Sequence, residues 1–186
     1  MKLLVKVKLE SKLSLKIKKI GILGGTFDPA HKGHLKISKE AKKRFNLNNI
    51  IWAITKKNPF KKKSNLDLNS RIKLAKKLIN KNKFIKIQFY EKKIRSNKTI
   101  NLINYFLKSS KKLDIYFIMG ADNLINFHKW HKWKSISKKC KILVFDRQGY
   151  KAKSLKSVTF KQLNQKNLQF IKFKKVNISS SQLRKI

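Results

Sequence analysis

Acidic residues, arginine and cysteine are all scarce in this chain. Of its 186 residues, 8 are aspartate or glutamate and 49 are lysine or arginine, so the formal net charge is +41. Such a charge attracts polyanions, but only 5 of the basic residues are arginines, and dedicated nucleic-acid surfaces depend on arginine for bidentate and stacking contacts. The 22 isoleucines and 16 asparagines indicate an AT-rich coding sequence. We therefore attribute the charge to compositional drift and expect no specific nucleic-acid partner.

The single cysteine, Cys140, and the lack of long apolar runs limit the classes of protein further. One cysteine excludes an internal disulfide and a cysteine metal cluster. No apolar stretch approaches the roughly 20 residues that a membrane span needs, and the first residues lack the unbroken apolar region of a signal peptide. We therefore expect a cytoplasmic protein with no membrane partner. The sequence leaves the oligomeric state open.

Short apolar segments alternate with helical patterns from residue 20 onward. Short buried strands that alternate with helices are typical of a doubly wound, Rossmann-like α/β fold, a mostly parallel sheet with helices on both faces. We predict one domain over residues 20–186, preceded by a basic extension over residues 1–19. The predicted strands cover residues 20–23, 50–54, 84–89, 115–119, 141–145 and 168–173. The predicted helices cover residues 34–45, 69–80, 99–108, 123–138 and 155–167.

Residues 24–34, GGTFDPAHKGH, follow the first predicted strand and lead into a predicted helix. The glycines let the backbone approach a polyphosphate closely, and a helix N-terminus offers unpaired N–H groups and a dipole that favours anions. His31 and His34 add hydrogen-bond donors on the same side. Three-residue spacing would also suit metal ligands, but no cysteine or acidic cluster completes a site. We therefore predict a phosphate-binding segment and no metal site in the protein.

These eleven residues resemble the GGTFDPxHxGH signature of the bacterial nicotinate-nucleotide adenylyltransferases, in the nucleotidyltransferase superfamily with the HxGH motif. Residues 117–124 with Trp130 and Trp133, residues 144–149 and residues 178–184 resemble later motifs of that family, in the same order. The resemblance covers roughly residues 19–186. It implies transfer of AMP from ATP to nicotinate mononucleotide, which gives deamido-NAD and pyrophosphate by direct in-line attack without a covalent intermediate.

The resemblance also implies roles for individual residues. The catalytic residues would be His31, His34 and Arg184, which would contact the ATP phosphates. The other ATP-binding residues would be Gly24, Gly25, Thr26, Phe27, Lys62, Gly120, Asp122, Ser180 and Ser181. Nicotinate mononucleotide would bind at Thr99, Trp130 and His131. Mg²⁺ would be carried with ATP and held by phosphates and water rather than by a protein cage.

Several of these assignments leave alternatives open. Asp122 could contact the adenosine ribose or cap a helix, since a helix is predicted to start beside it. Residues 58–62 depart from the family's NPPHK loop, so any lysine of residues 61–63 could reach phosphate, and we favour Lys62. A nicotinamide mononucleotide adenylyltransferase, or one for another small phosphate acceptor, is the first alternative function. A basic nucleic-acid-binding protein on the same scaffold is the second.

Overall fold

The computed structural model describes residues 17–58, 64–110, 112–163 and 166–172. Within these residues a six-stranded sheet has the order β3-β2-β1-β4-β5-β6, and every neighbouring pair of strands is parallel. The strands are β1 (Lys18–Gly25), β2 (Asn49–Ile54), β3 (Ile85–Gln88), β4 (Leu113–Gly120), β5 (Lys141–Phe145) and β6 (Leu168–Ile171). The predicted parallel α/β fold is confirmed.

The helices cover both faces of this sheet. They are α1 (Lys32–Phe45), α2 (Leu68–Ile79), α3 (Glu91–Ile94), α4 (Thr99–Ser109), α5 (Ala121–Ile125), α6 (Trp133–Lys139), α7 (Lys151–Leu155) and α8 (Val158–Gln162), with a 3₁₀ turn over Phe127–Lys129. One core cluster includes residues of α1 and α2, and the other includes residues of α4, α5 and α6. No helix of the described ranges is both long and apolar enough to cross a membrane.

Alternate residues of the central strands enter opposite core clusters. In β4, Phe117 belongs to the cluster with α4, whereas its neighbour Ile118 belongs to the cluster with α1. This period of two follows from the pleat of a strand, and covering both faces explains why the strands read as continuous apolar runs. Gly21 lets β1 pack closely, because a Cβ there would lie 2.9 Å from Ile118 Cδ1 and 3.0 Å from Leu47 Cδ1 and these side chains would have to shift.

Two predicted helices are each broken in the structure. The predicted helix over residues 123–138 is wrong as a single element, because Trp130 is extended and Lys132 adopts left-handed φ and ψ of 52° and 38°. The prediction over residues 155–167 is also wrong as one helix, because Ser157 is extended and its side chain accepts a hydrogen bond from Phe160 N, which starts α8. Strand β1 begins at Lys18, two residues before the predicted strand.

Candidate active site

The loops that follow β1 and β4 lie at the point where the strand order reverses. Strand β1 has β2 on one side and β4 on the other, so the chain leaves the carboxyl ends of β1 and β4 toward opposite faces of the sheet. Open parallel sheets bind ligands in the crevice formed at such a switch point. The segment of residues 24–34 follows β1, and Gly120 ends β4. This edge of the sheet is therefore the candidate site.

His31 and His34 form a reciprocal cap at the start of α1. His31 is the N-cap residue, and its Nδ1 accepts a hydrogen bond from Gly33 N at 3.1 Å. His34 Nδ1 accepts from His31 N at 3.2 Å, and the centroids of the two rings are 3.9 Å apart. Because both Nδ1 atoms are acceptors, each neutral imidazole carries its proton on Nε2. The backbone thus selects the tautomer of both histidines.

Burial, and to a smaller extent the positive charge of Arg147, lower the pKa of His31 from 6.5 to about 4. His31 is therefore neutral near pH 7. It can offer an Nε2–H hydrogen bond to an anion without carrying a charge of its own. Because the charge of Arg147 acts on His31, folding brings this arginine within electrostatic reach of the histidine cap, although Arg147 follows β5 and lies 116 positions farther along the chain.

Phe27 forms a platform under His34. Its ring stacks on Trp52 with centroids 5.0 Å apart and an interplanar angle of 17°, and it lies 4.8 Å from the His34 ring. Trp52 Nε1 donates to Ser38 Oγ at 2.8 Å, and Ser38 Oγ donates to the His34 carbonyl at 2.9 Å. The His34 ring and backbone are thus both supported from the buried core. Phe27 is itself buried, so its ring contacts His34 from the side of the core.

Asp122 and Arg147 form an ion pair above the ends of β4 and β5. Arg147 Nη1 donates to Asp122 Oδ2 at 2.5 Å, and the exposed fractions of the side chains are 39% for Arg147 and 13% for Asp122. Gly120 makes room for this carboxylate, because a Cβ there would lie 2.5 Å from Asp122 Oδ1. The N-cap residue of α5 is Gly120 and no side chain caps it, so the alternative that Asp122 is a helix cap is wrong.

Two of the three residues predicted to bind the mononucleotide, Trp130 and Thr99, lie toward the α4 face of the sheet. Trp130 is half-buried, and its ring packs edge-on against Phe117 and Phe127 at centroid distances of 6.0 and 5.2 Å. Thr99 is the first residue of α4, directly before Ile100 of the core cluster against which Trp130 packs. His131 is exposed. Trp130 and Thr99 are thus associated with one core cluster, opposite the face that α1 covers.

The structure brings Phe27, His31 and His34 together and places Asp122 with Arg147. Gly24, Gly25 and Thr26 directly precede Phe27, at the carboxyl end of β1. Four predicted site residues lie outside the described residues: Lys62, Ser180, Ser181 and Arg184. Their roles stay predictions. Within the described ranges, no three histidine, cysteine, aspartate or glutamate side chains come together in a group that could hold a metal ion.

Sequence reasoning gave no role to Arg71 and Arg147. Arg71 is 2% exposed and donates to four backbone carbonyls around the candidate site. A signal was available, because a chain with 5 arginines among 49 basic residues keeps arginine at few positions. Only a guanidinium offers several donors in a planar fork, so the few positions that keep arginine indicate roles that lysine cannot fill.

Comparison with known proteins identifies related sequences and folds. A model of the cytidylyltransferase-like family matches residues 22–186. The chain is 73% identical over 180 residues to a Pelagibacter ubique protein named "Probable nicotinate-nucleotide adenylyltransferase", covering 97% of this chain and 99% of the relative. A protein of the same name from Clostridium tetani is 36% identical over 175 residues, covering 90% of this chain and 86% of the relative.

A solved structure shares the fold at low identity. Plasmodium falciparum nicotinic acid mononucleotide adenylyltransferase, solved in complex with NaAD and with APC, superposes with a TM-score of 0.71. The superposition covers 90% of this chain and 83% of that chain, at 19% sequence identity. At this identity the match shows a common architecture and does not transfer individual residues.

Proposed function

Because the chain belongs to the cytidylyltransferase-like family and, within it, to the nicotinate-nucleotide adenylyltransferases, we propose that it transfers AMP from ATP to nicotinate mononucleotide. The products are deamido-NAD and pyrophosphate, so the enzyme acts in NAD biosynthesis. The observation that carries this proposal is the His31–His34 cap at the switch point of the sheet, with both rings held as Nε2–H donors. The 73% identity to the Pelagibacter relative over nearly the whole of both chains supports it.

The reaction needs no nucleophile from the protein. A 5′-phosphate oxygen of nicotinate mononucleotide attacks the α-phosphorus of ATP, a new P–O bond forms, and the bond from that phosphorus to the oxygen of the leaving pyrophosphate breaks. Phosphoryl-type transfers of this kind depend on positioning and on stabilising the charge of the transferred group. Neutral Nε2–H donors of His31 and His34 and the cation of Arg147 supply such stabilisation at a preorganised edge of the sheet.

The remaining contacts in this proposal divide between the two substrates. The ATP phosphates lie against the backbone of Gly24, Gly25 and Thr26, and the adenosine contacts Gly120 and Asp122. Nicotinate mononucleotide contacts Thr99, Trp130 and His131. Lys62, Ser180, Ser181 and Arg184 complete the phosphate contacts as expected from the family motifs. Mg²⁺ enters as the counter-ion of the ATP substrate, held mainly by phosphate and water oxygens.

We place the enzyme in the cytoplasm.

The test is turnover by the purified full chain. Pyrophosphate release should require both ATP and nicotinate mononucleotide, and kcat/KM should be higher for nicotinate than for nicotinamide mononucleotide. An equal or higher kcat/KM for the amide would assign the chain to the alternative acceptor. The absence of pyrophosphate release with either mononucleotide, together with salt-resistant binding of RNA or DNA, would favour the nucleic-acid-binding alternative.

A further inference from the structure

Arg71 is a buried cation that the reaction itself does not use. It lies in α2 with 2% of its surface exposed. Its Nε donates to the Leu66 carbonyl at 3.1 Å, and its Nη1 donates to the carbonyls of Thr26 at 2.6 Å and Thr55 at 2.8 Å. Its Nη2 donates to the Lys56 carbonyl at 3.2 Å. One guanidinium therefore joins the phosphate-binding segment, the carboxyl end of β2 and the residues before α2.

Two carboxylates extend this network, the buried Asp28 and the partly exposed Glu91. Asp28, which is 3% exposed, accepts hydrogen bonds from Asn65 N at 2.8 Å and from Leu66 N at 3.1 Å. Glu91 accepts from the Thr55 hydroxyl and from Lys56 N. Asp28, Asp67 and Glu91 act on Arg71 by Coulomb attraction, which opposes the lowering of its pKa by burial. The carboxylates thus offset part of the cost of burying the charge of Arg71.

Hydrogen bonds of this network fix the residues on both sides of Phe27, which are Thr26 and Asp28. Phe27 has a φ of +49°, in the left-handed region that a bulky residue rarely adopts. Such a backbone persists only when its surroundings impose it. The preceding carbonyl, of Thr26, is bound by Arg71, and the following side chain, of Asp28, is bound by the backbone of Asn65 and Leu66. The left-handed turn carries the Phe27 ring to its place under His34.

We propose that Arg71 is a positioning residue for the adenylyl-transfer site. It holds the left-handed turn at Phe27, and through the Phe27 ring it holds the His34 imidazole where Nδ1 accepts from His31 N. Lysine cannot replace it, since one ammonium nitrogen cannot reach carbonyls that the guanidinium meets with three separate nitrogens. The expected effect on activity rests on the proposed function, in which the Nε2–H of His34 meets a phosphate.

The first measurement compares Arg71→Lys with Arg44→Met in the full chain. Arg44 lies on the exposed side of α1, where it pairs with Glu40, so the control removes an arginine without touching the network. In Arg71→Lys, kcat should fall about 100-fold, as for a displaced positioning group, while the KM for ATP should change less than about threefold. The kcat is expressed per folded molecule, from the unfolding curve of each variant. The control should keep the wild-type kcat.

The second measurement reads the His34 ring directly and needs no turnover. A long-range ¹⁵N–¹H correlation spectrum of the wild type should show protons on Nε2 of His31 and His34. In Arg71→Lys, His34 should shift toward a mixture of tautomers, while the signals of His128 and His131 should stay in place. A role limited to global stability would lower the melting temperature and leave the tautomer of the folded protein unchanged.

These two measurements separate the possible outcomes. An unchanged kcat per folded molecule in Arg71→Lys overturns the inference, and so does a fall in kcat with no change at His34. A wild type that releases no pyrophosphate overturns the proposed function instead, and the tautomer of His34 then decides the positioning role alone. If Arg71→Lys does not fold, Asp28→Asn weakens the hold on Phe27 from its other side and should show the same two changes more weakly.

Discussion

The two sides of the candidate site differ in how firmly the fold holds them. After β1, both histidine side chains accept hydrogen bonds from the backbone at the start of α1, the core supports His34, and the buried Arg71 donates to the carbonyl of Thr26. After β4 and β5, the side chains of Asp122 and Arg147 are joined by one ion pair, in which Arg147 is 39% exposed. The proposed phosphate side is therefore preorganised by burial, whereas on the proposed adenosine side Arg147 remains partly exposed to water.

Replacing His34 with alanine should have the largest effect, because it removes a donor from the preorganised side. The change deletes the proposed phosphate contact and the acceptor of His31 N. Loss of one preorganised donor typically costs about 100- to 1000-fold in kcat. Steady-state pyrophosphate release measures this loss, and the thermal unfolding midpoint should move far less. His128→Gln, outside the proposed contacts, is the matched control. A His34→Ala variant that unfolds would assign His34 a structural role instead.

Breaking the ion pair on the less firmly held side should have a smaller effect. In Asp122→Asn the amide oxygen no longer bears the charge that pairs with Arg147, and hydrogen bonds to charged groups contribute about 1.5–3 kcal/mol. We expect the KM for ATP to rise about tenfold or more with a smaller change in kcat. Asp114→Asn is the matched control, since Asp114 also pairs with a cation, Lys141 at 3.7 Å, but from the opposite end of β4. If Asp122→Asn and Asp114→Asn have the same KM for ATP, Asp122 does not contact the nucleotide.

Removing the exposed His131 ring should change substrate affinity by the smallest factor. Because the side chain is exposed and the core does not hold it, we expect His131→Ala to keep the stability and kcat of the wild type. The KM for nicotinate mononucleotide should rise about three- to fivefold, in the range of one weak stacking contact of about 0.5–1 kcal/mol. The KM for ATP in the same variant is the internal control. A rise confined to ATP would place His131 on the other substrate.

The free energy of unfolding should depend on the protonation of His31 below about pH 6.5 and not near neutral pH. The pKa of His31 is lowered to about 4 by burial and by Arg147, whereas a histidine in the unfolded chain titrates near 6.5. Between these values the unfolded state binds more protons, so the free energy of unfolding contributed by His31 is complete above about pH 6.5 and falls as the pH drops toward 4. Thermal melts from pH 8 to pH 4 should show this loss in the wild type.

His31→Asn is the variant that sharpens the pH prediction. Asparagine keeps a side-chain acceptor at the N-cap but does not titrate in this range. The decrease in melting temperature between pH 6.5 and 4 should therefore be smaller in the variant than in the wild type. An NMR titration of wild-type His31 with a midpoint near 6.5 would contradict both the burial effect and the proximity of Arg147.

The confirmed predictions concern elements that local pattern specifies. Alternating apolar segments and helical patterns predicted the parallel α/β fold, and the family resemblance of residues 24–34 is confirmed by a relative with 73% identity. The broken helix near Trp130 was not predictable, because hydrophobic periodicity carries no sign that Lys132 adopts a left-handed backbone. The partners of Asp122 and Arg71 lie on other elements, and no spacing within one segment reports them.

The family can be predicted from the motif of residues 24–34 without a structure, and so can the alternation of strands and helices and the position of the glycine and histidine segment after the first strand. These follow from short-range rules, since burial on both faces and helix capping depend on neighbouring residues. Folding, by contrast, sets the tautomers of the two histidines, the lowered pKa of His31, and the contacts of Arg71 and Arg147. Each of these depends on burial and on charges that folding brings together from distant parts of the chain.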